Sequence, residues 1–352
     1  MIYIILGAFF GDEGKGQCVN NKLCGLDNPI VVRFSGANQV GHNVRHNDLT
    51  HCFSNYGSGT LRGVPTYWSD KCVCDPTAAA FEGVSLISQG IVPKIYYSPR
   101  CQIVLPCDIV AQRLNSANRT HGTVGTGYKA VLDRVKAGFP VHLIDCLNPL
   151  ILREKLNCIM KFYYTSESNA VGFNYDKWIE DVCTFANKIQ FLSITDVLEN
   201  WNNVVFEGSQ GILLDQSFGI MPHCTPSNTT SQNIWDIPHI THQTIKTFYV
   251  CRPYITRHGN GPFCTDTKII SVNDPNNQFG DFQGHFRACE FDINLLTHSL
   301  QVDNIYNKSK HKSVVISHAD EISSDLLAKL KEFSKLNNLD ELHGFEFETW
   351  RF

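Results

Sequence analysis

The 352-residue sequence has no run of about 18 consecutive apolar residues and so offers no membrane-spanning helix. It lacks a basic stretch followed by an apolar core at its start; Met1-Ile2-Tyr3-Ile4-Ile5 reads as the beginning of a strand, and the expected location is cytoplasmic. A net charge of −4 gives no electrostatic footprint for nucleic acid. Fourteen cysteines are present, yet no Cys-x2-Cys pair occurs, and Cys72-x-Cys74 alternates as strand residues do. Reduced core thiols are therefore expected, not a disulfide framework or zinc site. No repeat, low-complexity tract or linker interrupts the chain, so residues 1–352 read as one domain of ordinary composition, 43% hydrophobic and 18% charged.

The usual phosphate-binding P-loop is also missing. Its Gly-x4-Gly-Lys-Ser/Thr spacing would need glycine at Phe9 and a hydroxyl at Gly16. What stands there is Gly7-Ala8-Phe9-Phe10-Gly11-Asp12-Glu13-Gly14-Lys15-Gly16, directly after the apolar strand Ile2–Leu6. The glycines allow close approach of backbone to a ligand, and a following helix, read over Gln17 to Cys24, can offer its N-terminal amides to an anion. A carboxylate repels phosphate, so Asp12 beside Lys15 points to proton transfer within a phosphate site.

Further apolar runs read as strands: Pro29 to Phe34, residues 64 to 75, Ile95 to Leu105, Val141 to Ile144, Val204 to Phe206, Thr247 to Ile255 and Ser313 to Ile316. An alanine-rich helix is read from Thr77 after Asp75-Pro76. Strands that end in Gly, Asn, Asp or Ser loops before helical stretches predict an α/β fold, a mostly parallel central sheet with helices on both faces and a site along its carboxyl edge.

Each polar feature has a plain alternative. Asp12 could be a helix N-cap, and His42 a solvent-exposed loop histidine. Together they form a carboxylate and imidazole pair suited to proton abstraction and donation. Thr225, Ser227, Asn228, Thr229 and Thr230 form a hydroxyl-rich cluster that suits phosphate oxygens or a polar loop equally.

Their order is more informative. Gly11-Asp12-Glu13-Gly14-Lys15-Gly16, Gly41-His42, Gly122-Thr123-x-Gly125-x-Gly127, Glu207-Gly208-Ser209-Gln210-Gly211, Pro222-x-x-Thr225-x-Ser227-Asn228-Thr229-Thr230 and Thr256-Arg257-x-Gly259-x-Gly261-Pro262-Phe263 follow one another. This series resembles the adenylosuccinate synthetase family, over nearly the whole chain, with a length near its short archaeal and phage members. The resemblance implies a P-loop-like nucleotide-binding ligase fold and a C–N ligase of purine biosynthesis. The enzyme would phosphorylate O6 of a 6-oxopurine monophosphate with a nucleoside triphosphate, and L-aspartate would then displace the phosphate.

By that resemblance Asp12 is the base for the purine N1 proton, His42 assists phosphoryl transfer and Lys15 neutralises charge. Mg2+ would be held by Asp12 and the Gly41 carbonyl. Gly11, Glu13, Gly14, Lys15, Gly16, Gly41, His42, Asn43, Ser317, Asp320 and Gly344 fall to the triphosphate nucleotide. Asp12, Gln39, Thr123, Gln210 and Thr225 fall to the monophosphate, completed across a homodimer by Arg134 or Lys136 of a second copy.

Three segments depart from the family pattern. Its arginine-rich aspartate loop is reduced to Gly284-His285-Phe286-Arg287-Ala288, leaving Arg287, with His285 or Arg257 to compensate, or a different amine donor. The guanine-reading Thr-Lys-Leu-Asp motif becomes Ser317-His318-Ala319-Asp320; Asp320 keeps the acceptor for guanine, which favours GTP over ATP, or else it is only a helix N-cap. Leu342-His343-Gly344-Phe345 replaces a Thr-Gly-Pro turn. Because Asp12 is retained where phage enzymes acting on dGMP are expected to carry a smaller residue, IMP is the expected substrate. The alternatives are a phage-type enzyme that makes N6-succino-2-amino-2′-deoxyadenylate from dGMP with ATP or GTP, a non-catalytic nucleotide-binding relative, and an NTPase switch.

Overall fold

The computed structural model describes residues 1–114, 125–164, 173–272, 274 and 284–346, and the backbone of 349–351. Its strands, in chain order, are β1 (Ile2–Gly7), β2 (Pro29–Arg33), β3 (His42–His46), β4 (Leu49–Phe53), β5 (Thr66–Trp68), β6 (Val73–Cys74), β7 (Ile95–Tyr97), β8 (Gln102–Ile103) and β9 (Gln190–Phe191). They continue with β10 (Asn203–Gly211), β11 (Ile245–Cys251), β12 (Tyr254–His258), β13 (Ile269–Ile270), β14 (Phe286–Glu290), β15 (His311–Ser317), β16 (Leu342–Glu346) and β17 (Thr349–Arg351).

Ten of these form the central sheet in the order β17-β16-β15-β11-β1-β10-β2-β5-β7-β9. Every pairing is parallel except β16 with β17. Parallel strands covered on both faces need apolar side chains throughout, which is why β1 is buried along its whole length. Ile2, Ile4 and Leu6 join a core with Leu295, Leu296 and Leu300 of the helix Ile293–Asn304. Tyr3 and Ile5 face the other way, onto Cys18 and Val19 of α1 (Lys15–Lys22).

β1 lies between β10 and β11, and the chain leaves it for β2 on the β10 side, while β15 extends the sheet beyond β11. A crevice opens at such a reversal of winding, outside the carboxyl ends of the strands. The loop after β1 sits there. It enters α1 through Gly14, at φ 85, with no side-chain cap, so Asp12 is not the N-cap and the first helical amides have no side-chain acceptor.

Several strands stop short of their sequence-based limits. Residues 64 to 75 divide into β5 and β6, which belong to different sheets, because Ser69 turns the chain by accepting the Lys71 and Cys72 amides on its hydroxyl and carbonyl. Ile95 to Leu105 divides at Ser98-Pro99, where proline has no amide to give a ladder. Thr247 to Ile255 breaks at Arg252-Pro253 for the same reason, and β12 leaves the central sheet to pair antiparallel with β14. Val141 to Ile144 contributes only an isolated bridge, His142 to Gln102, before the 3-10 turn Leu143–Leu147. The hairpin β3–β4, absent from the sequence reading, turns at Asn47-Asp48 with Asn47 at φ 51. The alanine-rich helix begins at Pro76, one residue earlier than read, capped by Asp75 accepting from the Thr77 and Ala78 amides.

All fourteen cysteines are free. Six of them, including Cys72, Cys101 and Cys146, help fill a second core beneath the helices Pro149–Phe162 and Tyr175–Ala186. Burial pushes the Cys72 thiol up to about 12, so it packs as a neutral apolar group.

The loop after β1 is pressed directly against the end of β10. A Cβ at Gly211 would lie 2.2 Å from the Phe9 carbonyl oxygen and 2.7 Å from the Gly11 nitrogen. With φ −132 its backbone suits any residue, so the requirement is purely one of space. Gly211→Ala is expected to destabilise the protein by about 1–3 kcal/mol or more through this overpacking. Urea unfolding checks it, and an unchanged midpoint would show that the loop yields freely.

Candidate active site

A cavity of about 890 Å³ lies at the carboxyl edge, lined by the loop after β1, the residues after β2 and β10, β12 and the end of β15. Three non-glycine residues on its wall, Asp12, Gln210 and His318, have positive φ of 62, 53 and 53. Left-handed backbone at such residues persists only where the surroundings hold it, and it concentrates at functional sites.

The loop is held from within by Glu13, whose carboxylate turns back and accepts from the Phe9 amide at 3.0 Å and the Gly11 amide at 2.8 Å. Lys15 Nζ completes this buried cluster at 2.8 Å. A Cβ at Gly7 would strike both side chains, which accounts for glycine at the end of β1.

Asp12 is held from outside the loop. His258 Nδ1 lies 2.7 Å from Asp12 Oδ2, and Arg252 Nε donates to the Asp12 carbonyl at 2.6 Å. Burial pushes the Asp12 carboxyl up, but the hydrogen bond from His258 and the charges of His258, Lys15 and Arg252 outweigh it, leaving Asp12 below the ordinary carboxylate range. Asp12 is thus a carboxylate, 29% exposed toward the cavity.

His42, read as either catalytic or solvent-exposed, is buried. Its Nδ1–H donates to Glu207 Oε1 at 2.6 Å, and Glu207 also accepts from the Ser58 amide at 3.1 Å and the Ser58 hydroxyl. Burial raises Glu207, yet His42, Arg33 and Ser58 together bring it down to about 2, so the carboxylate is an acceptor only and fixes the imidazole tautomer. Burial holds His42 below its ordinary value and therefore neutral near pH 7, and its Nε2 is buried at the cavity wall with no hydrogen-bond partner. Arg33, cross-strand from Glu207, lies over the Trp68 ring at 5.2 Å with its guanidinium nitrogens unpaired.

Other orphaned polar atoms point to a polar ligand. Both amide atoms of Gln39 and Oε1 of Gln210 are buried without partners, and both residues line the cavity. A buried unsatisfied polar group costs about 1–3 kcal/mol, so such atoms are most economically explained by a ligand or by water. Thr225 also lines the cavity, whereas Thr229 and Thr230 are buried behind it, with the Thr229 amide bonded to Asp215. The phosphate-binding reading of that cluster therefore narrows to Thr225. Gly122 and Thr123 lie outside the described residues.

Arg134 corrects the expectation of a phosphate ligand reaching a second copy. It is wholly buried, held by Asp108 at 2.9 and 3.0 Å and by the carbonyls of Phe139 and Ile103. Such a guanidinium could leave only by stranding Asp108. Lys136 is exposed.

β12 and β14 bring two arginines together. Arg257 and Arg287 are cross-strand partners. Arg257 donates to the carbonyls of Pro262 and His223 and stacks over Phe10 at 4.2 Å. Arg287 donates to the Gly261 carbonyl at 2.5 Å and stacks over Phe263 at 5.1 Å, its Nε unpaired. Neither meets a carboxylate among the described residues. Burial, with the charge of Arg287, brings Arg257 down to about 10. Arg257 and Gly261 line the cavity; His285 is exposed and does not, its carbonyl accepting from the Gly259 amide.

On the β15 side, Gly14, Ser317, His318 and Asp320 line the cavity. Asp320 belongs to a 3-10 turn, and the helix that follows is capped by Ser323, so the N-cap reading of Asp320 fails. His318 is held down to about 4 by burial and by Arg252, hence neutral. Gly344 is buried within β16 and does not reach the wall; Phe345 and Glu346 do.

For a metal, the ionised Asp12 and the Gly41 backbone border one cavity with Asn43 and supply hard oxygen ligands. Among the described residues no group of three His, Cys, Asp or Glu could hold an ion alone. Such a sparse set suits Mg2+, which usually takes its remaining ligands from phosphates and water.

Sequence reasoning missed His258, Arg252, Ser58 and Arg33, and gave Glu207 no role. The parity of β12 was the available signal for one of them: Thr256, whose hydroxyl donates to the Gly11 carbonyl at 2.9 Å, and His258 share a strand face toward the loop.

The chain matches known proteins along most of its length. The family pattern described as adenylosuccinate synthetase matches residues 4–325. Adenylosuccinate synthetase 1 of Photorhabdus laumondii is 27% identical over 350 residues, 92% of this chain and 80% of that protein. The Haemophilus influenzae (strain PittEE) adenylosuccinate synthetase is 28% identical, covering 91% and 78%. Two solved structures share the fold. The fully ligated adenylosuccinate synthetase of Plasmodium falciparum has a TM-score of 0.74 at 20% identity, over 92% of this chain and 78% of that one. The cyanophage S-2L succinoaminodeoxyadenylate synthetase (PurZ), bound to dGMP and dATP, gives 0.66 at 16%, over 97% and 91%. With the family pattern spanning nearly the whole chain and its motif residues gathered around one cavity, this carbon–nitrogen ligase of purine biosynthesis belongs to the adenylosuccinate synthetase family.

Proposed function

We propose that the chain uses GTP to phosphorylate O6 of IMP and L-aspartate to displace that phosphate, giving adenylosuccinate, GDP and phosphate. The observation that carries this reading is the pairing, in one cavity, of an ionised Asp12 with a neutral His42 whose free Nε2 faces the wall. Asp12 takes the N1 proton, charge builds on O6, and O6 attacks the γ-phosphoryl group; the aspartate amine then adds at C6 and phosphate leaves. His42 lies beside the transferred group, oriented by Glu207. Mg2+, bound through Asp12 and Gly41, would neutralise charge on the triphosphate.

Lys15 and the open amides of α1 would hold the triphosphate, with Gly11, Glu13, Gly14, Gly16 and Asn43 shaping its bed and Ser317 and Asp320 reading guanine. Gln39, Gln210 and Thr225 would hold the monophosphate. Paired, carboxylate-free Arg257 and Arg287 support a dicarboxylate amine donor, because two uncompensated guanidiniums side by side are stabilised by dianion binding. Neither Arg287 nor His285 is on the cavity wall; Arg287 stays in the proposed amino-acid site through its cross-strand pairing with Arg257, which is, and the exposed His285 is dropped. The assembly proposed is a homodimer in the cytoplasm, with Lys136 the candidate to reach the partner's phosphate.

A second reading, dGMP with ATP or GTP as phosphoryl donor, is supported by the shared fold of the cyanophage enzyme, whose structure holds dGMP and dATP.

Turnover of purified protein with GTP, aspartate and Mg2+, followed by chromatography, is expected to be faster with IMP than with dGMP; the reverse order would establish the second reading. Asp12→Asn should lower kcat by about 10²–10⁴-fold, the usual contribution of a general base. Arg287→Ala should raise KM for aspartate by about tenfold or more, the worth of one charged hydrogen bond, with KM for IMP and GTP nearly unchanged. An unchanged aspartate KM would remove Arg287 from the amine-donor site.

A further inference from the structure

Asp12 sits on a loop that provides almost nothing to hold it. Its φ is 62, it does not cap α1, and the Glu13 cluster fixes Phe9, Gly11 and Lys15 but not Asp12. Among the described residues, the hydrogen bonds that hold Asp12 and its carboxyl come from the segment 252–258. Arg252 binds the Asp12 carbonyl, Thr256 binds the Gly11 carbonyl, and His258 binds Oδ2 of the carboxylate. All three have the same parity along the chain.

His258 is itself prevented from turning. Its ring packs on Phe286, its cross-strand neighbour, at 5.4 Å between centroids and 58° between planes. The imidazole borders the cavity and is 17% exposed. His258 Nδ1 lies 2.7 Å from Oδ2, so one oxygen of the Asp12 carboxyl is engaged, while the side chain remains partly exposed on the cavity wall.

We infer that His258 is a positioning residue for Asp12: by holding Oδ2 it selects one rotamer of a carboxylate whose backbone is already strained, and so presents Oδ1 to the reacting purine. This rests on the ligase reading above. Misplacing a reacting group by about 1 Å can cost on the order of 10²-fold in rate, without altering the groups that bind the rest of the substrate. The effect therefore belongs in kcat and not in KM.

The test uses the full-length protein with GTP, IMP or dGMP, and aspartate. His258→Val, a residue suited to a strand, is expected to lower kcat about 10–100-fold while KM for the purine and for GTP stays within about threefold. His258→Asn, which keeps an N–H donor, should recover most of the loss. In an Asp12→Asn background His258→Val should cost little more, since residues that act as a unit are not additive. Melting temperatures of the variants separate loss of positioning from loss of folding. The inference is overturned if His258→Val keeps wild-type kcat, if the Asn variant is as impaired as the Val variant at equal melting temperature, or if the loss is undiminished when Asp12 is absent. Failure of the ligase reading looks different: the wild type itself then turns over neither purine.

Discussion

Glu13 is a fully buried carboxylate inside a loop that is expected to meet phosphate, and the rest of the site is built outward from it. Two loop amides and the Lys15 ammonium converge on it. A glycine-rich turn has few side chains with which to satisfy its own backbone, and buried amides without acceptors are costly. Glu13 supplies the acceptor locally, and the loop can then lie flat against the end of β10 with no side chain at Gly7 or Gly211 to push it away. Asp12 and Glu13, adjacent in sequence, therefore have opposite duties: one carboxylate faces inward and holds the loop, and the other faces the cavity.

Two histidines are oriented by carboxylates in mirror fashion. His42 donates to a buried Glu207 and keeps its second nitrogen for the cavity. His258 donates to Asp12 and serves the carboxylate instead. The geometry of the contact is nearly the same, at 2.6 and 2.7 Å. What differs is which partner keeps an atom for the cavity: Nε2 of His42 in the first pair, and the more exposed Asp12 carboxylate in the second.

The sheet was legible because β1, β2, β10, β11 and β15 each contain an apolar run, as parallel strands covered on both faces do. Strand ends were not, because Ser69, Pro99 and Pro253 break the ladders by local chemistry between stretches that are apolar on either side. The loop motifs carried the site, and most of their residues do line one cavity. Arg134 misled because a cation near the expected place says nothing of its burial, and only the structure shows Asp108 beneath it. Gly344 misled similarly: it is buried within β16, and the wall is made instead by Phe345 and Glu346, the residues after it. His258 and Arg252 could not be found from motif spacing, for their partner lies some 240 residues away in the chain.

β12 alternates between two tasks. Thr256 and His258 reach the loop after β1, while Arg257 between them turns to Phe10 and to its cross-strand partner Arg287. Because strand side chains repeat every two residues, a slip of one position would send the arginine toward Asp12 and the imidazole toward Phe10 and Arg287. Substitutions at this strand can adjust either task separately, but a single inserted or deleted residue exchanges them. The history of this enzyme at β12 should therefore be one of replaced side chains within a fixed length of strand.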